Sequence, residues 1–168
     1  MRESLGLMKL DNIDLKILNI LQQQGRITNV LLSTEIGLSP APTLERVKKL
    51  EQAGYIQSYH ARINPELLNL GVLIIVEVSL NIHQDANIEA FMAEIRKIPE
   101  IVECYHVTGD ADFLLKVFVR DMSDYQRLVN EKISKVPHLS RIQSRVVMGV
   151  VKDQQGIPIP ASVEALGK

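Results

Sequence analysis

The chain has 168 residues, of which 46% are hydrophobic and 23% charged, the make-up of an ordinary soluble globular protein. Its net charge of −1 argues against a polycation that coats nucleic acid. No run approaches the roughly 18 apolar residues needed to cross a bilayer; the longest covers residues 72–76, and residues 1–8 lack the apolar core of a signal peptide, so a cytoplasmic protein is expected.

Asp11 opens the first helix as its N-cap, with Asp14 in the first turn, where the helix dipole favours an acid. Ile13, Ile17, Ile20 and Leu21 follow at helical spacing with Leu18 beside them, and Gly25 ends the run. A second helix starts near Thr28, passes Val30, Leu31 and Ile36, and stops at Gly37, a residue suited to positive φ. Ser39 then caps a third helix whose first turn holds Pro40 and Pro42, where amides have no intrahelical acceptor in any case. Leu44, Val47 and Leu50 form its apolar stripe, Glu45, Lys48 and Lys49 point away, and Thr43 and Arg46 lie on the flanks. Two helices around Gly37-Leu38-Ser39, the second small at its start and basic outside, describe a helix-turn-helix. Short residues would let such a helix sink into a major groove while cations meet phosphates. A plain three-helix bundle with solvated lysines fits the pattern equally well. Residues 55–63 alternate like a short strand pair or wing, and Asn64-Pro65 breaks the pattern, which places a domain boundary there.

Beyond that break Val72, Ile74, Val76, Val78 and Leu80 alternate with Leu73, Ile75, Glu77 and Ser79, the pattern of a strand with one buried face. Residues 85–97 carry Ile88, Phe91, Met92 and Ile95 at helical spacing. Residues 101–108 read as a second strand, 109–112 as a turn and 113–119 as a third strand. Cys104, inside the second strand, is expected to be a buried structural thiol; as the only cysteine it excludes an internal disulfide and suits a reducing compartment. His60, His83, His106 and His138 are scattered and show no metal-ligand spacing. Residues 121–136 are helical, with Tyr125, Leu128, Val129 and Ile133 on one face, and residues 141–151 form the last strand. Gln154-Gln155-Gly156-Ile157-Pro158 then opens an extended or frayed tail.

The order β-α-β-β-α-β is that of a ferredoxin-like unit. The chain therefore reads as α+β, with a winged helix-turn-helix over residues 9–63, a ferredoxin-like domain over 64–152 and a tail over 153–168. Helices on one face of a four-stranded sheet leave the other bare, and its apolar residues point to sheet-to-sheet dimerisation.

The segments Leu15-Lys16-Ile17-Leu18, Gly25-Arg26-Ile27-Thr28-Asn29-Val30, Gly37-Leu38-Ser39-Pro40, Leu44-Glu45-Arg46-Val47-Lys48-Lys49-Leu50-Glu51 and Gly54-Tyr55-Ile56 resemble, in that order, the DNA-binding half of the Lrp/AsnC family. Glu103-Cys104, Thr108-Gly109-Asp110-Ala111-Asp112-Phe113-Leu114-Leu115-Lys116 and Asp121-Met122-Ser123 resemble its C-terminal half, so the resemblance is collinear over about residues 9–152. It implies a transcription regulator that binds double-stranded DNA, dimerises through its C-terminal sheets and assembles into octamers or larger rings. It further implies an amino-acid effector bound between dimers, with no other cofactor, no metal and no catalytic residue.

On the matching positions Ser39, Thr43, Arg46, Lys48 and Lys49 become the DNA-binding candidates, with Arg26, before the second helix, as a phosphate contact. The family's Gly-Asp-x-Asp turn falls on Gly109, Asp110 and Asp112. Turn amides suit an α-carboxylate and an aspartate suits an α-ammonium, although spacing alone makes these aspartates ordinary shapers of a hairpin turn. His106, Thr108, Met122, Val146 and Val147 match further positions of the effector pocket. His106 and Arg145 are polar where leucine-responsive relatives carry Leu and Tyr, which leaves room for an effector more polar than leucine. Two alternatives are a sirohaem-decarboxylase-like enzyme on the same fold and a metabolite-binding module that has lost DNA binding. No clustered set of His, Tyr or Arg supports the first, and the intact run from Ser39 to Lys49 speaks against the second.

Overall fold

The structure, a computed structural model, describes residues 8–81, 85–153 and 156–166. The leaderless start expected for residues 1–7, His83 and the Gln154-Gln155 opening of the tail lie outside the described residues. The chain packs as two compact units, one holding the residues up to Arg62 together with those from Lys152 onward, the other Ile63–Val151.

The first unit is built on α1 (Asn12–Gln23), α2 (Asn29–Ile36) and α3 (Pro40–Gln52). A reciprocal capping box starts α1: Asp14 N donates to Asp11 Oδ1 at 2.8 Å, and Asp11 N donates to Asp14 Oδ2 at 3.0 Å. Two otherwise orphaned amides are satisfied in this way. Thr28 caps α2 through Leu31 N, and Gly37 ends it at φ 75, in the left-handed region that a Cβ disfavours. Ser39 is the N-cap of α3, yet its hydroxyl makes no capping bond. An N-cap oxygen takes its hydrogen bond from the second or third helical amide, and Pro42 removes one of the two.

Ile17, Leu32, Ile36 and Leu50 form the buried centre of this unit, with Ile13, Ile20, Leu21, Val47 and Tyr55 packed around them. The inward face of α3 differs from the expected stripe. Thr43 is wholly buried, whereas Leu44 is 44% exposed. Thr43, Val47 and Leu50 have the i, i+4, i+7 spacing of one face, and Thr43 is admitted because its Oγ1 donates to the Ser39 carbonyl at 3.0 Å.

Two further expectations are corrected here. Residues 55–63 form no strand; instead Tyr55 Oη donates to the Met8 carbonyl ahead of α1, and Tyr59 Oη donates to Glu51 Oε1 of α3. The described part of the tail does not fray: it belongs to this unit. Val163 N donates to Asn12 Oδ1 at 3.0 Å, Gln22 Nε2 donates to the Ile157 carbonyl at 3.2 Å, and Asp153 pairs with Arg62.

The second unit contains β1 (Val72–Leu80), α4 (Asp85–Ile95), β2 (Ile101–His106), β3 (Phe113–Val119), α5 (Met122–Glu131) and β4 (Leu139–Val146). The strands form one antiparallel sheet in the order β2-β3-β1-β4. Ile74, Val76, Val78 and Leu80 of β1 and Phe113, Leu115, Val117 and Val119 of β3 are buried with Phe91 and Ile95 of α4 and Tyr125 and Leu128 of α5. Both helices therefore cover the same face. Four elements stop earlier than the sequence pattern suggests: α4 ends at Ile95, β2 ends at His106, α5 gives way to a 3-10 turn at Ile133–Lys135, and β4, which begins at Leu139, ends at Val146.

The opposite face carries Leu73, Ile75, Leu114 and Phe118, all half-buried, between the ion pairs Glu77–Arg145 and Glu103–Lys116. Cys104 is exposed, against expectation. It sits on the edge strand β2, where alternation continues after the helical cover has ended; partial desolvation still pushes its thiol pKa up.

Candidate DNA interface and effector cleft

Within the first unit α2 and α3 are braced against each other by Asn29 Nδ2, which donates to the Pro40 carbonyl at 2.7 Å. Lys16 Nζ of α1 donates to the Glu35 carbonyl at the end of α2. The outer side of α3 is left to Ala41, Glu45, Lys48 and Lys49, all exposed. Ser39 at its start and Arg26 before α2 are exposed as well. Arg26, Lys48 and Lys49 have no carboxylate partner among the described residues. A helix with small residues at its N-terminus and unpaired cations along its outer side suits a groove walled by phosphates.

Two expected DNA contacts are placed elsewhere. Thr43 points into the core, with its hydroxyl already bonded, and has no surface to offer. Arg46 is turned toward α1: its Nη1 lies 2.8 Å from Asp11 Oδ2 and 2.7 Å from Asp14 Oδ1. The Asp14 and Asp11 carboxylates raise the pKa of this guanidinium further. Burial pushes Asp11 upward, but the Asp14 amide and Arg46 outweigh it and leave the carboxyl below its ordinary 3.8.

In the second unit, residues 107–112 join β2 to β3 at the end of the sheet, with the Gly109–Asp112 turn within them. Gly109 has φ 124, a conformation that side chains with a Cβ rarely adopt. Asp112 is held by the fold: its Oδ2 accepts from Leu80 N at 2.7 Å, its amide donates to the Val78 carbonyl and its carbonyl accepts from Val107 N. Asp110 remains exposed, and its carbonyl accepts from Ser79 Oγ at 3.4 Å. Beside this turn, on the uncovered face, Glu77, Ser79, Asp110, Arg141, Gln143 and Arg145 enclose a cleft of about 240 Å³. Arg145 reaches Glu77 with Nε at 2.7 Å and Nη2 at 3.2 Å. That contact lowers the Glu77 pKa and raises that of Arg145.

Of the eight expected effector residues, only Asp110 lines this cleft. Thr108 and Gly109 adjoin it in sequence. His106 pairs with Phe113, on the helix-covered side, and stacks on that ring at 4.7 Å. Val146 pairs with Ile74 on β4, followed by Val147, and Met122 begins α5. β2 and β4 are the two outer strands, and the register sets His106 level with Val78 but Val146 level with Ile74. His106 and Val146 therefore stand roughly 20 Å apart at ordinary strand spacing and rise. One chain does not bring these positions together. Sequence reasoning overlooked Glu77, Ser79, Arg141 and Gln143 as a group, although Arg141-x-Gln143-x-Arg145 alternates as a polar stripe on one face of a strand.

Known proteins match both units. The profile of a winged helix-turn-helix DNA-binding domain covers residues 10–57, and that of the Lrp/AsnC ligand binding domain covers residues 73–157. The leucine-responsive regulatory protein of Salmonella typhimurium is 46% identical over 150 residues, spanning 89% of this chain and 92% of the relative. That of Escherichia coli K12 is 45% identical over the same shares. Among solved structures, a transcriptional regulator of Neisseria meningitidis in complex with L-Met superposes with a TM-score of 0.85 at 38% identity. It covers 89% of this chain and 97% of its own. An AsnC family regulator from Agrobacterium tumefaciens gives 0.84 at 30% identity, with coverages of 89% and 97%. With both profiles in sequence order, and with relatives this similar over nearly the whole chain, the protein belongs to the Lrp/AsnC family of DNA-binding transcriptional regulators.

Proposed function

We propose that this regulator grips duplex DNA with α3 in the major groove and with Arg26, Ser39, Lys48 and Lys49 on the phosphate backbone. An amino acid tunes that grip from the sheet domain. The observation that carries the reading is the contrast on α3, where Lys48 and Lys49 are exposed with no ion pair among the described residues, while Thr43 is buried and Arg46 is bound to Asp11 and Asp14. The effector is assigned to the cleft beside residues 109–112. Arg141 and Arg145 suit an α-carboxylate, Asp110 and Glu77 suit an α-ammonium, and one charge of each sign is what a zwitterion needs. Support comes from the L-Met bound to the Neisseria regulator.

His106, Val146, Val147 and Met122 join such a site only if a second copy supplies some of them. The half-buried apolar strip of Leu73, Ile75, Leu114 and Phe118 is the surface on which that copy would sit. No reaction is assigned to the chain, which is read as a cytoplasmic binding protein. Among the described residues no helix is long and apolar enough to cross a membrane.

The test is a fluorescence-anisotropy titration of the full chain on a duplex from its own upstream region, repeated over a salt series and with each of the twenty amino acids. Binding whose logarithm falls steeply with log salt is expected, together with a raised melting temperature for the amino acid that binds. Salt-independent binding, or none, overturns the DNA reading. A flat screen overturns the effector reading.

A further inference from the structure

We propose that Arg46 is a positioning residue, clamped by Asp11 and Asp14 so that the start of α1 sets the angle at which α3 meets DNA, and that it makes no phosphate contact itself. The inference deepens the DNA-binding reading above and rests on it. Three observations support the clamp. A single guanidinium nitrogen serves both carboxylates, at 2.8 and 2.7 Å. Those carboxylates also accept each other's amides in the capping box, so their direction is set before Arg46 arrives. The Asp14 side chain is only 6% exposed, against 31% for Arg46.

Moving Arg46 to a phosphate would strand Asp14 as a buried charge without its partner, a larger loss than an exposed contact returns. The clamp also joins two distant stretches of chain, 32 and 35 residues apart. The middle of the recognition helix is thereby tied to the first turn of α1, while Lys48 and Lys49 of the next turn remain free.

Full-length Arg46→Ala, Asp14→Asn and the double variant are compared with wild type by anisotropy on the same upstream duplex over a salt series. Asp14→Asn keeps an oxygen that can accept the Asp11 amide, so the cap survives and only the charge is lost. The clamp predicts that both single variants weaken binding by ten-fold or more. The double variant should be no weaker than either single, and the salt slope should be unchanged. A phosphate contact gives the opposite pattern. Arg46→Ala would lower the slope by about 0.9 for each helix-turn-helix engaged, and Asp14→Asn, by releasing the guanidinium, would tighten binding; either result overturns the proposal. A wild-type protein that binds no duplex defeats the DNA reading separately. The clamp is then read from thermal denaturation, in which additive losses for Asp14→Asn and Arg46→Ala would overturn it. Should Arg46→Ala fail to fold, Asp14→Asn decides by the sign of its effect on binding.

Discussion

In the helical unit Arg26, Lys48 and Lys49 are exposed and form no ion pair among the described residues, whereas on the open face of the sheet Glu77 is tied to Arg145 and Glu103 to Lys116. A free surface cation costs little in water and is available to any polyanion that displaces its counterions. Paired charges do different work. They flank the apolar strip of Leu73, Ile75, Leu114 and Phe118, and at Glu77–Arg145 they leave a cleft with both signs of charge. In the proposed reading, the same chain offers one surface to a polymer of single charge and another to a small zwitterion. Arg46 shows that type and position on a helix do not decide which kind a cation is. It lies two residues from Lys48, yet it is bound to two carboxylates.

The comparison is broken most severely through the core that orients α3. Leu50→Ala should cost about 2–5 kcal/mol in chemical denaturation, because the side chain is fully buried. Leu44→Ala should stay within about 0.5 kcal/mol, as for an exposed position. Equal losses would mean that the two residues share a face, contrary to the fold. A second, smaller effect separates free from fixed cations. Replacing Lys48 and Lys49 together by Ala should flatten the salt slope by roughly 1.8 for each helix-turn-helix engaged and leave the melting temperature nearly unchanged.

The smallest effect is a pH dependence. The folded pKa of Asp11 lies below its ordinary 3.8. Its contribution to stability is therefore complete above 3.8 and is lost as pH falls through the lowered folded value. Thermal melts in a descending pH series should show the difference between wild type and Asp11→Asn shrinking over that window. A difference that persists at the acid end would remove the charge from the account of the clamp.

Much of the fold was legible because local rules and tertiary outcome agree. Asp11, Thr28 and Gly37 are where caps and a left-handed stop were expected, and β1 and β3 run over the residues that alternate. The site was legible only in part. Lys48 and Lys49 are polar on an outward side and remained so in three dimensions, but Thr43 and Leu44 exchanged roles. A hydropathy pattern ranks Leu above Thr for the core, while the hydroxyl of Thr43 is satisfied by a carbonyl one turn away. The effector positions were scattered for a different reason. Residues near one pocket in a family pattern need not belong to one chain, and here His106 and Val146 lie on opposite sheet edges.

Periodicity, capping residues and the placing of Gly and Pro determined the helices, the central strands and their order along the chain, since each depends on residues within a turn or two. Tertiary packing alone decided which cations are free, which face of α3 is inward, that residues 55–63 fold back without a strand and that the tail returns to α1. Arg46–Asp14 and Val163–Asn12 join residues 32 and 151 apart, and no local pattern encodes a partner at that distance.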